Sequence, residues 1–247
     1  MFYLIGLGLK PKQLTLEALE AIRYCDEVFL ENYTSVYAEG NIFELEKICG
    51  KKTKIAERTF VEEEFEKILE NSRAKNIALL VLGNPLSATT HIQAILDAKN
   101  LKIDFKIIPG ISVFDFLGAT GLQQYKFGRT TTIVLHEKGF EPESFYDVIC
   151  ENQKMGLHTL CLLDIKAEQN KLMTIKEALD VLEKIESNRK EKILQKSFFV
   201  GFSNAFSENE KIFAGTLNEL KKHDFGIPAS LIVCGKLNEK EKEALGI

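Results

Sequence analysis

The 247-residue chain has no tryptophan, only four histidines and no excess of positive charge. Its formal net charge of −4 argues against a dedicated nucleic-acid binder, because such proteins usually carry a basic surplus or stripe. No apolar run approaches the roughly 20 residues needed to cross a bilayer. The sequence therefore predicts neither a nucleic-acid nor a membrane partner. Its 45% of hydrophobic residues suffices for one large domain or two smaller ones.

The cysteines are few and scattered, and none of them forms a C-x-x-C pair: Cys25, Cys49, Cys150, Cys161 and Cys234. An odd number in this arrangement is typical of free thiols in a reducing compartment. The opening MFYLIG has no basic residue ahead of its apolar stretch, so we expect no secretory signal peptide and a cytoplasmic protein.

Metal-binding and hydrolase motifs are also missing. The histidines show no metal-ligand spacing, which predicts that the protein holds no metal. The chain lacks a G-x-S-x-G elbow and a G-x-x-x-x-G-K-[ST] phosphate loop, so neither a serine hydrolase nor a P-loop enzyme is expected.

Apolar runs of strand length alternate with segments of helical period. Most of these runs are continuous, as in IALLVL at 77–82, which is typical of strands buried on both faces of a parallel sheet. Strands are predicted at 2–5, 76–82, 105–108, 130–135, 158–165, 197–202 and 230–233. Helices are predicted at 16–25 (with Thr15 as N-cap), 62–71, 91–100, 144–155, 174–187 and 216–223. The alternation predicts an α/β fold with parallel sheets and right-handed crossovers.

The turn PGIS at 109–112 is the best candidate for a domain boundary, because the residues before it could form one sheet by themselves. We therefore expect an N-terminal α/β domain at 1–112 and a C-terminal α/β domain at 113–247. The residues around the turn are not hydrophilic, so a hinge there would be tight.

Three loops rich in small residues follow predicted strands: GLGL at 6–9, GNPLSATTH at 83–91 and PGIS at 109–112. Open α/β sheets bind ligands at the carboxyl ends of strands, and glycine lets the backbone approach a ligand closely. Each loop also has a structural interpretation. The first could be a plain turn, since a dinucleotide fingerprint needs glycine where Pro11 stands. Thr90 could cap the helix after the second, and the third is a common turn.

Asp164 is a further candidate, at the end of the apolar run in GLHTLCLLDIK at 156–166. An acidic side chain there, followed by Lys166, suits recognition of a polar ligand. Equally, Asp164 could cap a turn and Lys166 could be solvated. Taken alone, the residues predict a small-molecule site lined by strand-end loops.

Five motifs together resemble a known family: MFYLIGLGL at 1–9, ENYTS at 31–35, GNPLSATTH at 83–91, GLQQYKFG at 121–128 and GLHTLCLLDIK at 156–166. They are similar to the diphthine synthases, the methyltransferases of diphthamide biosynthesis in the tetrapyrrole-methylase fold (class III methyltransferases). The likeness runs to LIVCGK at 231–236, and the compact length resembles archaeal members.

The resemblance implies a fold, a reaction and partners. It implies two α/β domains of the tetrapyrrole methylase type, with S-adenosylmethionine in the cleft between them, and a homodimer. The reaction implied is methylation of the amino group of 2-(3-amino-3-carboxypropyl)histidine on translation elongation factor 2. The products would be diphthine and S-adenosylhomocysteine.

By position, the resemblance also implies cofactor contacts at Leu9, Asn84, Ser87, Ser112, Val113, Leu163, Ala205 and Ala229. Two of these positions depart from the family pattern, which usually has Asp in place of Asn84 and often His in place of Ala229. Asparagine keeps an acceptor oxygen but lacks the negative charge that favours a cationic sulfonium, so weaker cofactor binding is expected.

No catalytic residue is assigned, because a neutral amine attacks a sulfonium methyl without a strong base, and alignment can supply most of the catalysis. His91 and Asp164 are hypothesised as polar contacts to the substrate. Two alternatives stay open: a tetrapyrrole or ribosomal-RNA methyltransferase of the same fold, and a non-catalytic S-adenosylmethionine-binding regulatory module.

Overall fold

The computed structural model describes residues 1–166, 169 and 171–247. The chain divides into two compact units, Met1–Asp115 and Phe116–Ile247. Both contain a sheet with helices packed on it, so the predicted α/β class is confirmed. Within the described residues, no helix combines the length and apolarity needed to cross a membrane.

The first unit contains a five-stranded parallel sheet in the order β3-β2-β4-β1-β5. The strands are Phe2–Gly6 (β1), Glu27–Glu31 (β2), Lys54–Ala56 (β3), Ile77–Val81 (β4) and Phe105–Ile108 (β5). Four α-helices accompany them: Leu16–Tyr24 (α1), Ile42–Cys49 (α2), Phe65–Asn71 (α3) and Ile92–Asn100 (α4). Separate hydrophobic clusters cover the two faces, with Ile5 and Leu80 in one and Leu4 and Leu79 in the other. Burial on both faces explains the continuous apolar runs of β1 and β4.

The second unit contains a five-stranded sheet in the order β11-β10-β12-β7-β6. Its strands are Thr131–Ile133 (β6), Thr159–Leu163 (β7), Phe199–Ser203 (β10), Lys211–Gly215 (β11) and Ala229–Val233 (β12), and a small ribbon joins Ile165–Lys166 (β8) to Lys171–Leu172 (β9). The helices are Ser144–Lys154 (α5), Ile175–Arg189 (α6), Leu217–Leu220 (α7) and Glu239–Leu245 (α8).

The expectation of a parallel sheet is wrong for the second unit. Among the described strands of its five-stranded sheet, only β6 and β7 pair in parallel, while β10 pairs antiparallel with both β11 and β12, and β12 pairs antiparallel with β7. The sequence did not predict β11, whose residues are partly exposed and which begins with Lys211. This extra strand returns the chain after β10, so no helical crossover lies between them.

Helix starts give one confirmed and one wrong prediction. Thr15 caps α1, since its side-chain oxygen accepts the N–H of Ala18 at 3.1 Å. Thr90 does not cap α4: the cap position belongs to His91, whose side chain makes no capping bond.

A cluster of Lys126, His158 and Glu241 attaches α8 to the rest of the second unit, and His158 and Glu241 are fully buried in it. Glu241 pairs with Lys126 and with His158 Nε2, the latter at 2.9 Å. The N–H of Gly235 donates to His158 Nδ1 at 3.0 Å, so the ring hydrogen resides on Nε2 and is donated to Glu241. Burial lowers the pKa of His158, and Glu241 only partly offsets this, so the ring is neutral.

Burial by itself would raise the pKa of Glu241, but hydrogen bonds from Lys126, Asn238, His158 and Gln123 outweigh it and lower that pKa to about 2. A folded-state pKa below the unfolded value contributes stability above the unfolded value of about 4.3. That contribution is lost as the pH falls toward 2. The carboxylate is thus a stabilising group at neutral pH.

We expect Glu241→Gln to lower the free energy of unfolding at neutral pH by about 1–3 kcal/mol, because buried donors lose their acceptor. The variant should also lose less stability than the wild type between about pH 5 and pH 2. Urea denaturation at several pH values measures both effects. Glu243→Gln is the matched control, since Glu243 lies on the same helix and is exposed. Equal effects of the two substitutions would contradict this role for Glu241.

Candidate functional site

Three glycine-bearing loops converge at the carboxyl edge of the first unit's sheet, after β1, β4 and β5. A Cβ atom added to Gly110 would lie 2.3 Å from the carbonyl oxygen of Gly83 and 2.7 Å from the carbonyl carbon of Gly6. Gly8 and Gly83 exchange backbone hydrogen bonds of 3.2 and 2.9 Å. These backbones approach one another so closely that no side chain fits between them, which explains the glycines at Gly6 and Gly110.

The structure brings the predicted contact residues of the first unit around this convergence. From a Cβ placed on Gly83, the distance is 3.9 Å to Leu9 Cδ2 and 4.0 Å to the Cα of Ser112. Val113 follows directly, and Asn84 begins the turn after Gly83. Five predicted positions, from three loops, therefore lie at one edge of one sheet: Leu9, Asn84, Ser87, Ser112 and Val113.

Local hydrogen bonds shape two of these loops. The side-chain oxygen of Asn84 accepts the N–H of Leu86, and its carbonyl accepts the N–H of Ser87, both at 3.1 Å. Ser112 is buried, and its hydroxyl accepts the N–H of Phe114 at 3.2 Å. Ala88 adopts a left-handed backbone with φ of 57°, which is uncommon for a residue other than glycine and often marks a functional loop.

The second unit places its three predicted contacts at one edge of its own sheet. Ala229 pairs with Ser203 across β12 and β10. On the other side of β12, Ser230 pairs with Leu162, so Ala229 and Leu163 come next along the same register. Ala205 lies two residues beyond Ser203, between Asn204 and Phe206, which have positive φ values of 50° and 61°.

Within the second unit, Asp164 forms hydrogen bonds and Lys166 forms an ion pair. The carboxylate of Asp164 accepts the N–H of Leu135 at 3.1 Å, and its carbonyl accepts the N–H of Met173 at 2.9 Å. Lys166 forms an ion pair with Glu137. These contacts fit the structural interpretation of the pair. Across the described part of the chain, no group of three or more metal-ligating side chains is arranged to hold an ion.

In the first unit, the ENYTS motif at 31–35 contacts His91. The sequence alone assigned no chemistry to this motif. Glu31 is fully buried, and its carboxylate accepts the N–H groups of Tyr33 and Thr34 at 3.1 Å and the hydroxyl of Thr34. Burial raises the pKa of Glu31, although these hydrogen bonds act to lower it. The Tyr33 ring centre lies 6.2 Å from that of His91. No sequence pattern predicts this contact, because Tyr33 follows β2 and His91 follows β4.

A family model, several relatives and solved structures all match this chain to the same family. A family model for tetrapyrrole (corrin/porphyrin) methylases matches residues 1–221. The diphthine synthase of Methanococcus aeolicus is 42% identical over 99% of this chain and 96% of its own length. The diphthine methyl ester synthase of Schizosaccharomyces pombe is 39% identical over 94% and 88% of the two chains. A solved diphthine synthase matches with a TM-score of 0.90 at 32% identity, covering 100% and 95%.

These matches extend across both units and include every motif that carried the resemblance. The glycine-bearing loops at the edge of a parallel sheet lie inside the region that the methylase model matches. The chain belongs to the tetrapyrrole methylases, and within that class to the diphthine synthase family. The family and the two-sheet α/β fold expected from the motifs are thereby confirmed.

We expect Gly110→Ala to destabilise the protein by about 1–3 kcal/mol or more, because the new methyl group would overlap the backbones of Gly6 and Gly83. Chemical denaturation measures the change. Gly118→Ala is the control, since a Cβ there meets no atom within 4 Å. Equal stability of the two variants would show that the loops are not in close contact.

Proposed function

We propose that the protein is an S-adenosylmethionine-dependent methyltransferase that acts on elongation factor 2. Its acceptor would be the amino group of the 2-(3-amino-3-carboxypropyl)histidine side chain, and its product diphthine. The observation that supports this most strongly is the match to a diphthine synthase over 99% of the chain at 42% identity. We further propose that it acts in the cytoplasm as a homodimer.

The strand-edge residues suit the proposed cofactor. The three glycine-bearing loops lie at the carboxyl ends of neighbouring parallel strands, which is where open α/β sheets bind their ligands. We propose contacts from Leu9, Asn84, Ser87, Ser112 and Val113 in the first unit and from Leu163, Ala205 and Ala229 in the second. The cofactor would supply a methyl group activated by a positively charged sulfur.

The protein's own task is then positioning. An amine attacks in line with the departing sulfur, so most of the rate gain comes from holding the nitrogen and the methyl group in alignment. The amine must lose a proton before each attack, and an alkyl amine does so to some extent in water at neutral pH. No acid–base residue needs to be assigned for the reaction to proceed.

The number and position of the methyl groups distinguish two forms of this function. The relative from S. pombe is a diphthine methyl ester synthase, whereas the relative from M. aeolicus is a diphthine synthase. We propose the latter form for this chain, with three methyl groups placed on one nitrogen. Methylation of the neighbouring carboxylate is the alternative outcome.

The deciding experiment uses elongation factor 2 from cells blocked before methylation. It is incubated with S-adenosylmethionine, with and without this protein, and the modified-histidine peptide is weighed by mass spectrometry. A gain of three methyl groups that survives mild alkali supports the proposal. A fourth methyl group that alkali removes indicates the ester. No gain, together with methylation of a tetrapyrrole or ribosomal RNA, would overturn the substrate assignment; cofactor binding without any transfer would indicate a regulatory module.

The departure at Asn84 gives a second test. We expect Asn84→Asp to tighten binding of cationic S-adenosylmethionine by about 1 kcal/mol, a factor of roughly five, because a carboxylate near the sulfonium adds attraction. Binding of S-adenosylhomocysteine, which has a neutral sulfur, should change little and serves as the control. Calorimetry of both ligands measures the difference. Parallel changes for the two ligands would place Asn84 away from the sulfur.

A further inference from the structure

His91 is buried, with 2% of its surface exposed, and neither ring nitrogen has a hydrogen-bond partner among the described residues. Leaving a buried polar group unpaired costs about 1–3 kcal/mol. His91 occupies the cap position of α4 but makes no capping bond. The fold therefore does not use the polarity of this imidazole, and an apolar side chain of similar size would serve packing better.

The turn after β2 fixes the position of Tyr33 beside His91. Glu31, at the end of β2, fixes the turn that follows by accepting the N–H groups of Tyr33 and Thr34. This turn presents the Tyr33 ring to His91 at a tilt of 39°. The guanidinium carbon of Arg58 lies 5.2 Å from the centre of the same ring. Glu31 thus acts as a positioning residue for the aromatic wall beside the imidazole.

His91 also ends the loop that carries two of the proposed cofactor contacts. Asn84 and Ser87 lie in the same segment, 83–91, at the carboxyl edge of the first sheet. Between them and His91 the backbone passes through the left-handed conformation at Ala88. A methyl donor held by Asn84 and Ser87 would therefore be bound by the same segment that ends at His91. The ring nitrogens of His91 have no hydrogen-bond partner among the described residues.

We propose that His91 binds the acceptor amine of the methyl transfer, through a lone pair of its neutral ring that accepts an N–H of the amine. This inference rests on the proposed function and names the residue that holds its acceptor. Burial lowers the pKa of His91 to about 4, so the ring is neutral near pH 7 and the lone pair is available.

His91 only orients the amine. Its ring neither gains nor loses a proton during the transfer. The amine lone pair forms the new N–C bond, the C–S bond breaks, and its electrons stay on sulfur. After the first and second transfers the proton of the resulting ammonium leaves to water, and the third transfer gives a quaternary ammonium that has no proton to lose. The contact needs an N–H, so His91 orients the neutral amine in the first two transfers; the dimethylamine that attacks in the third transfer has no N–H, and neither it nor the trimethylated product is held by this contact.

The test compares His91→Leu with His91→Asn, which keeps a donor and an acceptor. We expect His91→Leu to lower kcat/KM for the acceptor by about 100-fold through misalignment. Its affinity for S-adenosylmethionine should be unchanged, and its free energy of unfolding equal or higher, because the unpaired nitrogens are gone. His91→Asn should recover part of the activity. His223→Leu is the histidine control, since His223 stacks on Phe213 in the second unit.

A spectroscopic measurement separates this role from packing. In wild-type protein with labelled histidine, the ring-nitrogen NMR signals absent from His91→Leu belong to His91, and the chain has only four histidines. These signals should shift when the acceptor peptide is added with S-adenosylhomocysteine.

Three results would overturn the inference. If the wild type transfers methyl groups and His91→Leu does so equally well, the inference is wrong while the proposed function stands. If S-adenosylmethionine affinity falls together with the activity, His91 serves the cofactor and not the amine. If the wild type transfers no methyl group and the His91 signals do not move, the proposed function and the inference fail together.

Discussion

The close approach of Gly6, Gly83 and Gly110 is the constraint on which the first unit's site depends. Parallel pairing places the ends of β1, β4 and β5 side by side, and each loop must then leave the sheet past its neighbours. A side chain at Gly6 or Gly110 would overlap a neighbouring backbone, and Gly83 has a φ of 76° that favours glycine. These glycines therefore fix the path of the loops that carry Leu9, Asn84 and Ser112. The identity of the contact side chains matters less than the path of the backbone that carries them.

Much of this arrangement follows from the sequence. Continuous apolar runs predicted β1 and β4 because both faces of these strands are buried, and the ends of β1, β4 and β5 gave the three loops. Strands β2 and β3 and helices α2 and α8 escaped prediction. Of these, β3 is only three residues long and α8 is mostly charged. The pairing direction in the second unit also escaped, since β11 carries no strong apolar signal.

The parts of the site that the sequence could not supply are those made by distant residues. Glu31 and Tyr33 lie in one motif and His91 in another, and only the order of strands in the sheet brings the two motifs together. Likewise, Lys126 and His158 belong to motifs of the diphthine synthase resemblance, yet both contact Glu241 and support α8. Motif membership therefore identifies the family without separating residues that act on ligands from residues that hold the fold.

The position of β1 between β4 and β5 has a consequence for synthesis of the chain. This strand is synthesised before both of its partners in the sheet, β4 and β5, and the latter ends at Ile108. Pairing between segments so far apart in sequence is intrinsically slow. The apolar residues Phe2 and Leu4 therefore stay without strand partners until β4 emerges, which leaves an unpaired apolar strand in the nascent first unit during that time.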